Sequence, residues 1–95
     1  MSEREAYIKK TQARLDQWSA EIDKLQAKAK EAEAEARIEY EKQLTELRAQ
    51  RDEAERKMKE LRDASDEAWS DMKSGFDKAW DSISSAFTSA MSRFK

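Results

Sequence analysis

Few side chains in this sequence could carry out chemistry. It has no histidine and no cysteine, which excludes the usual zinc sites, imidazole acid–base catalysis and thiol nucleophiles. Glu31, Glu35 and Glu39 stand four residues apart, a spacing that could contribute carboxylates to a metal site in an oligomer. The di-iron sites of helix bundles also need a Glu-x-x-His motif, which is absent, so a solvated acidic helix face is the better interpretation.

Phosphate-binding chemistry is equally disfavoured. Gly75 is the one glycine, so the chain has no glycine-rich loop that could surround a phosphate. Nucleic-acid binding needs a basic stripe, whereas here the lysines are interleaved with acids and the net charge is −2. Serines are plentiful, but no histidine can activate one. We therefore expect no enzymatic activity, cofactor, metal, small-molecule substrate or nucleic-acid partner.

The most distinctive pattern is an eleven-residue repeat in the last third of the chain: AWSDMKSGFDK, AWDSISSAFTS and AMSRFK, beginning at Ala68. Eleven residues make about three helical turns, so equivalent positions stay nearly in line. The repeat predicts one helix face of large apolar side chains, which we call the aromatic stripe. Its members are Trp69, Met72, Phe76, Trp80, Ile83, Phe87, Met91 and Phe94.

Three partners could cover this stripe. It could be core, packed against the heptad seam of its own or another chain. It could lie in a membrane interface, since aromatic residues opposite a Ser/Thr-rich face suit that environment. It could dock on a different protein. The interpretations overlap, because a stripe buried at rest could be released under stress.

The rest of the chain predicts a long, charged helix. The 95 residues are 42% charged, with no proline, and apolar positions step by three and four over most of residues 1–62. We expect a heptad coiled-coil helix over 1–62, a kink or turn at 63–67, and an amphipathic helix over 68–95; an unbroken helix is the alternative. The predicted coiled-coil seam comprises Ile8, Leu15, Trp18, Ile22, Leu25, Leu44, Leu47, Met58 and Leu61.

Length then predicts self-association. A helix over residues 3–62 would be about 90 Å long, and the second helix could cover less than half of it. A monomer would leave Leu15, Trp18, Ile22 and Leu25 exposed. The expected fold class is therefore all-α: a long coiled-coil helix followed by an amphipathic helix, with a helical hairpin as one arrangement, assembled as a homo-oligomer.

Location follows from what the sequence lacks. The start, MSEREAYIKK, has no apolar signal region, and no run of about 18 apolar residues occurs. We expect a cytoplasmic protein, with peripheral binding at the inner face of the membrane as a further possibility.

Several segments resemble a family of small bacterial coiled-coil proteins labelled as stress-response proteins. They are LDQWSAEIDKL (15–25), EYEKQLTELRAQRDEAERKMKELR (39–62), DEAW (66–69) and AWDSISSAFTSAMSRFK (79–95), with Ala-Trp dipeptides eleven residues apart. The resemblance implies a bacterial cytosolic or peripheral helical protein and supplies no catalytic or ligand residues. The repeat is also similar to that of exchangeable apolipoproteins, through shared helix physics.

The sequence thus predicts a non-enzymatic, self-associating protein, and the family resemblance implies an association with stress. The aromatic stripe would serve assembly and reversible membrane-surface binding. The alternative is a purely structural oligomer or adaptor that docks a partner protein without lipid contact.

Overall fold

Three helices make up the part of the chain that the computed structural model describes, residues 2–93. They are α1 (Glu3–Glu31), α2 (Ala34–Arg62) and α3 (Asp66–Ser92). Two short turns join them, so α2 runs antiparallel to both neighbours and packs against both, while α1 and α3 run parallel. The bundle measures 52 × 22 × 17 Å. The all-α prediction is confirmed.

The prediction of one helix over residues 1–62 is wrong. The backbone leaves the helical conformation at Ala32 and Glu33, where ψ is 156° and 159°, and α2 folds back on α1. We call Ala32–Glu33 the first turn. No glycine or proline enforces it; the turn forms because folding back lets the apolar seams of α1 and α2 cover each other.

The expectation that a monomer would expose the α1 seam is also wrong. Leu15 and Ile22 are 0% and 1% exposed within a single chain, and Trp18 and Leu25 are half-buried. Three helices cover the seam where two could not. The length of the helices therefore no longer requires a homo-oligomer, and self-association stays a prediction.

A second turn, at residues 63–65, separates α2 from α3 and lies within the range where the sequence allows a kink. Ser65 begins α3: its hydroxyl oxygen accepts a hydrogen bond from the Ala68 amide at 3.2 Å. Asp66 and Glu67 follow in the first helical turn, where acidic side chains interact favourably with the helix dipole.

The core has two halves that meet at Trp18, which packs against both. The half near the second turn contains Leu15, Ala54, Met58, Leu61, Phe76, Trp80 and Ile83. The half near the first turn contains Ile22, Ala29, Leu44, Leu47, Phe87 and Ala90. Ile8, the first predicted seam residue, is half-buried, whereas polar Thr11 is buried and donates its hydroxyl hydrogen to the Tyr7 carbonyl at 3.0 Å.

Candidate functional site

The aromatic stripe of α3 faces the interior of the bundle. Phe76, Trp80, Ile83 and Phe87 are buried, while Trp69 and Met91 are half-buried. Met72 is 36% exposed, and Phe94 lies outside the described residues. In this structure the stripe is core, covered by the chain's own α1 and α2.

Helix α1 covers the stripe through aromatic rings. Trp18 stacks on Trp80 with ring centroids 4.9 Å apart and planes 6° apart. It also stacks on Phe87, at 4.3 Å and 9°. Trp80 and Phe87 are two helical turns apart, so the Trp18 ring inserts between them. Stacking of this kind adds about 0.5–1.5 kcal/mol per pair beyond the area buried.

Tyr7 of α1 makes similar ring contacts nearer the N-terminal end of α3. Its ring meets Trp69 edge-on with centroids 6.0 Å apart and Phe76 at 6.1 Å. The Tyr7 hydroxyl donates a hydrogen bond to Asp77. Burial raises the pKa of Tyr7, and the hydrogen bond to Asp77 raises it further, so the ring stays neutral throughout the physiological range.

Large side chains dominate this contact because the two backbones are far apart. Within residues 2–93, α2 approaches both neighbours closely, but no Cα atom of α1 lies within 8 Å of one in α3. By contrast, small side chains are fully buried elsewhere in the core, at Ala29 of α1 and Ala54 of α2. The α1–α3 interface therefore consists of interlocking aromatic rings, without close packing of the two backbones.

Arg4 makes a set of polar contacts, which we call the Arg4 clamp, at the end of the α1–α3 interface near the second turn. The Arg4 guanidinium donates to Asp66 Oδ1 at 3.2 Å, and to the Arg62 and Ala64 carbonyls at 3.0 and 2.5 Å. It also lies 4.7 Å from the centre of the Trp69 ring, a cation–π distance. Arg4 thus joins α1 to the second turn and to the start of the stripe.

Open grooves follow the α1–α3 interface between these contacts. One, of about 490 Å³, is lined by Gln17, Trp18, Ala20, Glu21, Phe87, Thr88 and Met91. A smaller one, of about 150 Å³, is lined by Tyr7, Lys10, Thr11, Arg14, Asp77 and Trp80. The grooves border the stripe along this boundary, but Trp80 and Phe87 remain less than 10% exposed.

Sequence reasoning missed the contribution of Arg4 and Tyr7. A signal for Tyr7 existed, because Tyr7, Thr11 and Leu15 step by four along one helix face and place Tyr7 as well as Ile8 towards the core. Nothing in the sequence indicates that Arg4 reaches the second turn, because that contact joins residues about 60 positions apart.

Within residues 2–93, the structure shows no group of three or more acidic, histidine or cysteine side chains placed to hold a metal ion. None of the described helices is both long and apolar enough to cross a bilayer.

The chain has no match among protein-family models, curated proteins or solved structures. The similarity to small bacterial stress-response proteins therefore stays a prediction.

Proposed function

We propose that the protein is a non-enzymatic helical bundle that binds membrane surfaces reversibly, by releasing α1 and presenting the aromatic stripe of α3 to lipid. The observation that carries this proposal is the α1–α3 interface. Aromatic side chains fill this interface, and within residues 2–93 no Cα atom of α1 lies within 8 Å of a Cα atom of α3. We place the protein in the cytoplasm, at the inner face of the membrane when bound, and stress is the condition we expect to release α1.

Opening is needed because the closed bundle hides the stripe. Phe76, Trp80, Ile83 and Phe87 are each less than 10% exposed, so lipid cannot reach them until α1 moves. Each such side chain gains about 2–3 kcal/mol when it leaves water, whether protein or acyl chains receive it. A bilayer can therefore replace α1 as the cover for the stripe.

The opposite face of α3 suits a lipid interface with little charge. It is rich in exposed serine, with Asp71 and Asp81 against Lys78, while Lys73 and Asp77 border the stripe beside Tyr7. Such a surface gains little from anionic lipids. We therefore expect binding that persists in salt and is stronger on highly curved vesicles, whose packing defects admit aromatic rings.

A covalent link across the interface tests this mechanism. Gln17 and Thr88 line one groove from opposite sides and are exposed, and the chain has no natural cysteine. The Q17C/T88C variant would be joined with a bismaleimide, because helices this far apart cannot form a disulfide. Its matched control is the same variant with both thiols capped by N-ethylmaleimide.

Both proteins would be mixed with small and large phosphatidylcholine vesicles and followed by flotation and tryptophan emission, with Trp18→Phe leaving only the α3 reporters. The capped protein is expected to float with small vesicles, and the linked protein to stay in solution. Equal flotation of the two would contradict opening. If neither protein floats, the stripe is permanent core.

A second candidate function is docking of a partner protein, favoured by a different surface. Ile38 of α2 is 63% exposed and lies in a groove of about 500 Å³ lined by Ala34, Arg37, Glu41, Lys42 and Thr45. An adaptor role would use this surface with the bundle closed. The linked Q17C/T88C protein would then keep its partner, whereas Ile38→Glu would lose it.

A further inference from the structure

The first turn lies in a sequence that favours an uninterrupted helix. Residues 27–36 read AKAKEAEAEA, and alanine, lysine and glutamate are among the strongest helix formers. Glu33, at the N-cap position of α2, makes no side-chain capping hydrogen bond. Local preference therefore opposes the turn, and the packing of α1 on α2 and α3, together with the Arg37 side chain, maintains it.

Hydrogen bonding at the turn shows what a straight helix would change. One Nη atom of Arg37 donates to the Lys30 and Ala32 carbonyls at 2.9 and 3.2 Å. In a continuous helix the same carbonyls would accept from the backbone amides of residues 34 and 36. Straightening therefore exchanges two side-chain hydrogen bonds for backbone ones and leaves no carbonyl of the pair without a donor.

We propose that a second copy of this chain is a binding partner, through exchange of α1. In each copy the first turn straightens, so that α1 and α2 form one helix of about 90 Å. The α1 segment of each copy then packs against α2 and α3 of the other. This inference is independent of lipid binding and does not rest on the function proposed above.

The exchanged dimer reuses contacts already present in the closed bundle. Trp18 of one copy would insert between Trp80 and Phe87 of the other, and Arg4 would reach the partner's second turn. Because the contacts are the same, the balance between monomer and dimer depends on the first turn and on protein concentration. A short turn whose residues favour a continuous helix promotes exchange of this kind.

The sequence around the first turn also suits the new crossing point. In the dimer the two long helices pass each other antiparallel near residues 32–34. Ala29 and its alanine neighbours permit a close approach there. Lys30 precedes the turn and Glu35 follows it, so an antiparallel crossing sets Lys30 of each copy near Glu35 of the other.

Two substitutions move the equilibrium in opposite directions. Glu33→Pro fits the closed turn, because φ at Glu33 is −64° and Ala32 already has the extended conformation that precedes proline. Proline inside the straight helix should lower the dimer association constant by about 100-fold for each turn. Arg37→Ala removes the side-chain donor of the closed turn and should favour the dimer. Glu33→Ala is the matched control for Glu33→Pro.

The test refolds each protein from denaturant at high concentration and measures its mass by size-exclusion chromatography with light scattering. Each substitution is repeated in the Q17C/T88C background and joined with the bismaleimide. In an exchanged dimer this link joins α1 of one chain to α3 of the other, so a denaturing gel shows a covalent dimer. In a closed chain the link stays within one polypeptide.

We expect wild type and Glu33→Ala to give some dimer with links between chains, Arg37→Ala more, and Glu33→Pro almost none. Circular dichroism confirms that Glu33→Pro is folded, and Arg37→Ala provides a test that does not depend on it. The proposal is overturned if wild type and Arg37→Ala both remain monomeric after refolding. It is equally overturned by dimers whose links all lie within chains.

Discussion

The two turns of the bundle reverse the chain by different means. At the second turn, Ser65 caps α3, and Arg4 donates to the carbonyls of Arg62, the last residue of α2, and of Ala64 in the turn. At the first turn, Glu33 makes no side-chain capping hydrogen bond, and the Arg37 side chain donates to the Lys30 and Ala32 carbonyls.

The difference shows which force sets each turn. The Ser65 cap is local, so it should preserve the second turn when tertiary contacts, including those of Arg4, weaken. The first turn opposes its local helix preference and depends on buried contacts made far along the chain, above all by Trp18. A turn that depends on such distant contacts can serve as a hinge. Both proposals, membrane binding and the exchange of α1, use the first turn as a hinge.

The largest expected effect comes from the rings that hold the first turn closed. Trp80→Ala removes a buried ring that stacks on Trp18 and should lower the free energy of unfolding by about 3–5 kcal/mol. Leu25→Ala, in the half-buried part of the α1 seam, should cost less than about 2 kcal/mol. Urea denaturation midpoints at one protein concentration measure both, and the reverse order would refute the primacy of the stripe.

The two arginines sharpen the comparison. Arg4 is 75% buried at its side chain and donates to carbonyls of the second turn, so Arg4→Ala should cost about 1–2 kcal/mol. Arg37 is exposed, so Arg37→Ala should cost less than about 1 kcal/mol. Thermal unfolding of both variants beside wild type checks this ranking; equal losses would mean that the turns are held alike.

The N-cap positions separate the turns at smaller magnitude. Ser65→Ala should destabilise the fold by about 1 kcal/mol because it removes the hydroxyl that caps α3. Glu33→Ala should change stability by only a few tenths, whereas Glu33→Ser should add the missing cap and stabilise by about 0.5–1 kcal/mol. Chemical denaturation of the three variants decides the matter. A loss at Glu33→Ala as large as that at Ser65→Ala would contradict the account.

The smallest effect at neutral pH concerns Tyr7. Its pKa in the folded state is raised above the ordinary value of 10.0 by burial and by Asp77. Its stabilising contribution is therefore fully present below pH 10 and is lost as the pH rises through the raised pKa. Tyr7→Phe should match wild type in pH dependence below pH 9 and lose less stability above pH 10, as followed by circular dichroism.

The sequence predicts those parts of the fold that local pattern determines. Periodicity identifies the helical class, and the eleven-residue repeat places Phe76, Trp80, Ile83 and Phe87 on one face, where all four are buried. The range 63–67, where the sequence allows a kink or turn, contains the second turn, which ends at the N-cap residue Ser65. Each of these signals lies within a few residues of the feature it predicts.

The first turn escapes such reasoning for a physical reason. Its residues favour helix, so propensity predicts a continuous segment, and the buried contacts that outweigh this preference join residues far apart, such as Trp18 and Phe87. The same cause hides the Arg4 clamp. Local sequence does not predict the first turn. The arrangement of the chain as three helices and the burial of Leu15 within one chain both depend on that turn.

Opening of the first turn is the central claim, and a pair of spin labels measures it directly. Ala13 of α1 and Glu55 of α2 are both exposed. Labels on cysteines at these positions should lie within about 30 Å in the hairpin and about 60 Å apart in a straight helix. Dilution of the labelled protein with excess unlabelled protein removes distances between copies.

Double electron–electron resonance would be recorded on dilute protein, on protein refolded at high concentration, and with small phosphatidylcholine vesicles. The account predicts the short distance in dilute solution and a second population near 60 Å after refolding at high concentration. Arg37→Ala should enlarge that population and Glu33→Pro should remove it, while vesicles should deplete the short distance. A single short distance in every sample, Arg37→Ala included, would contradict the account.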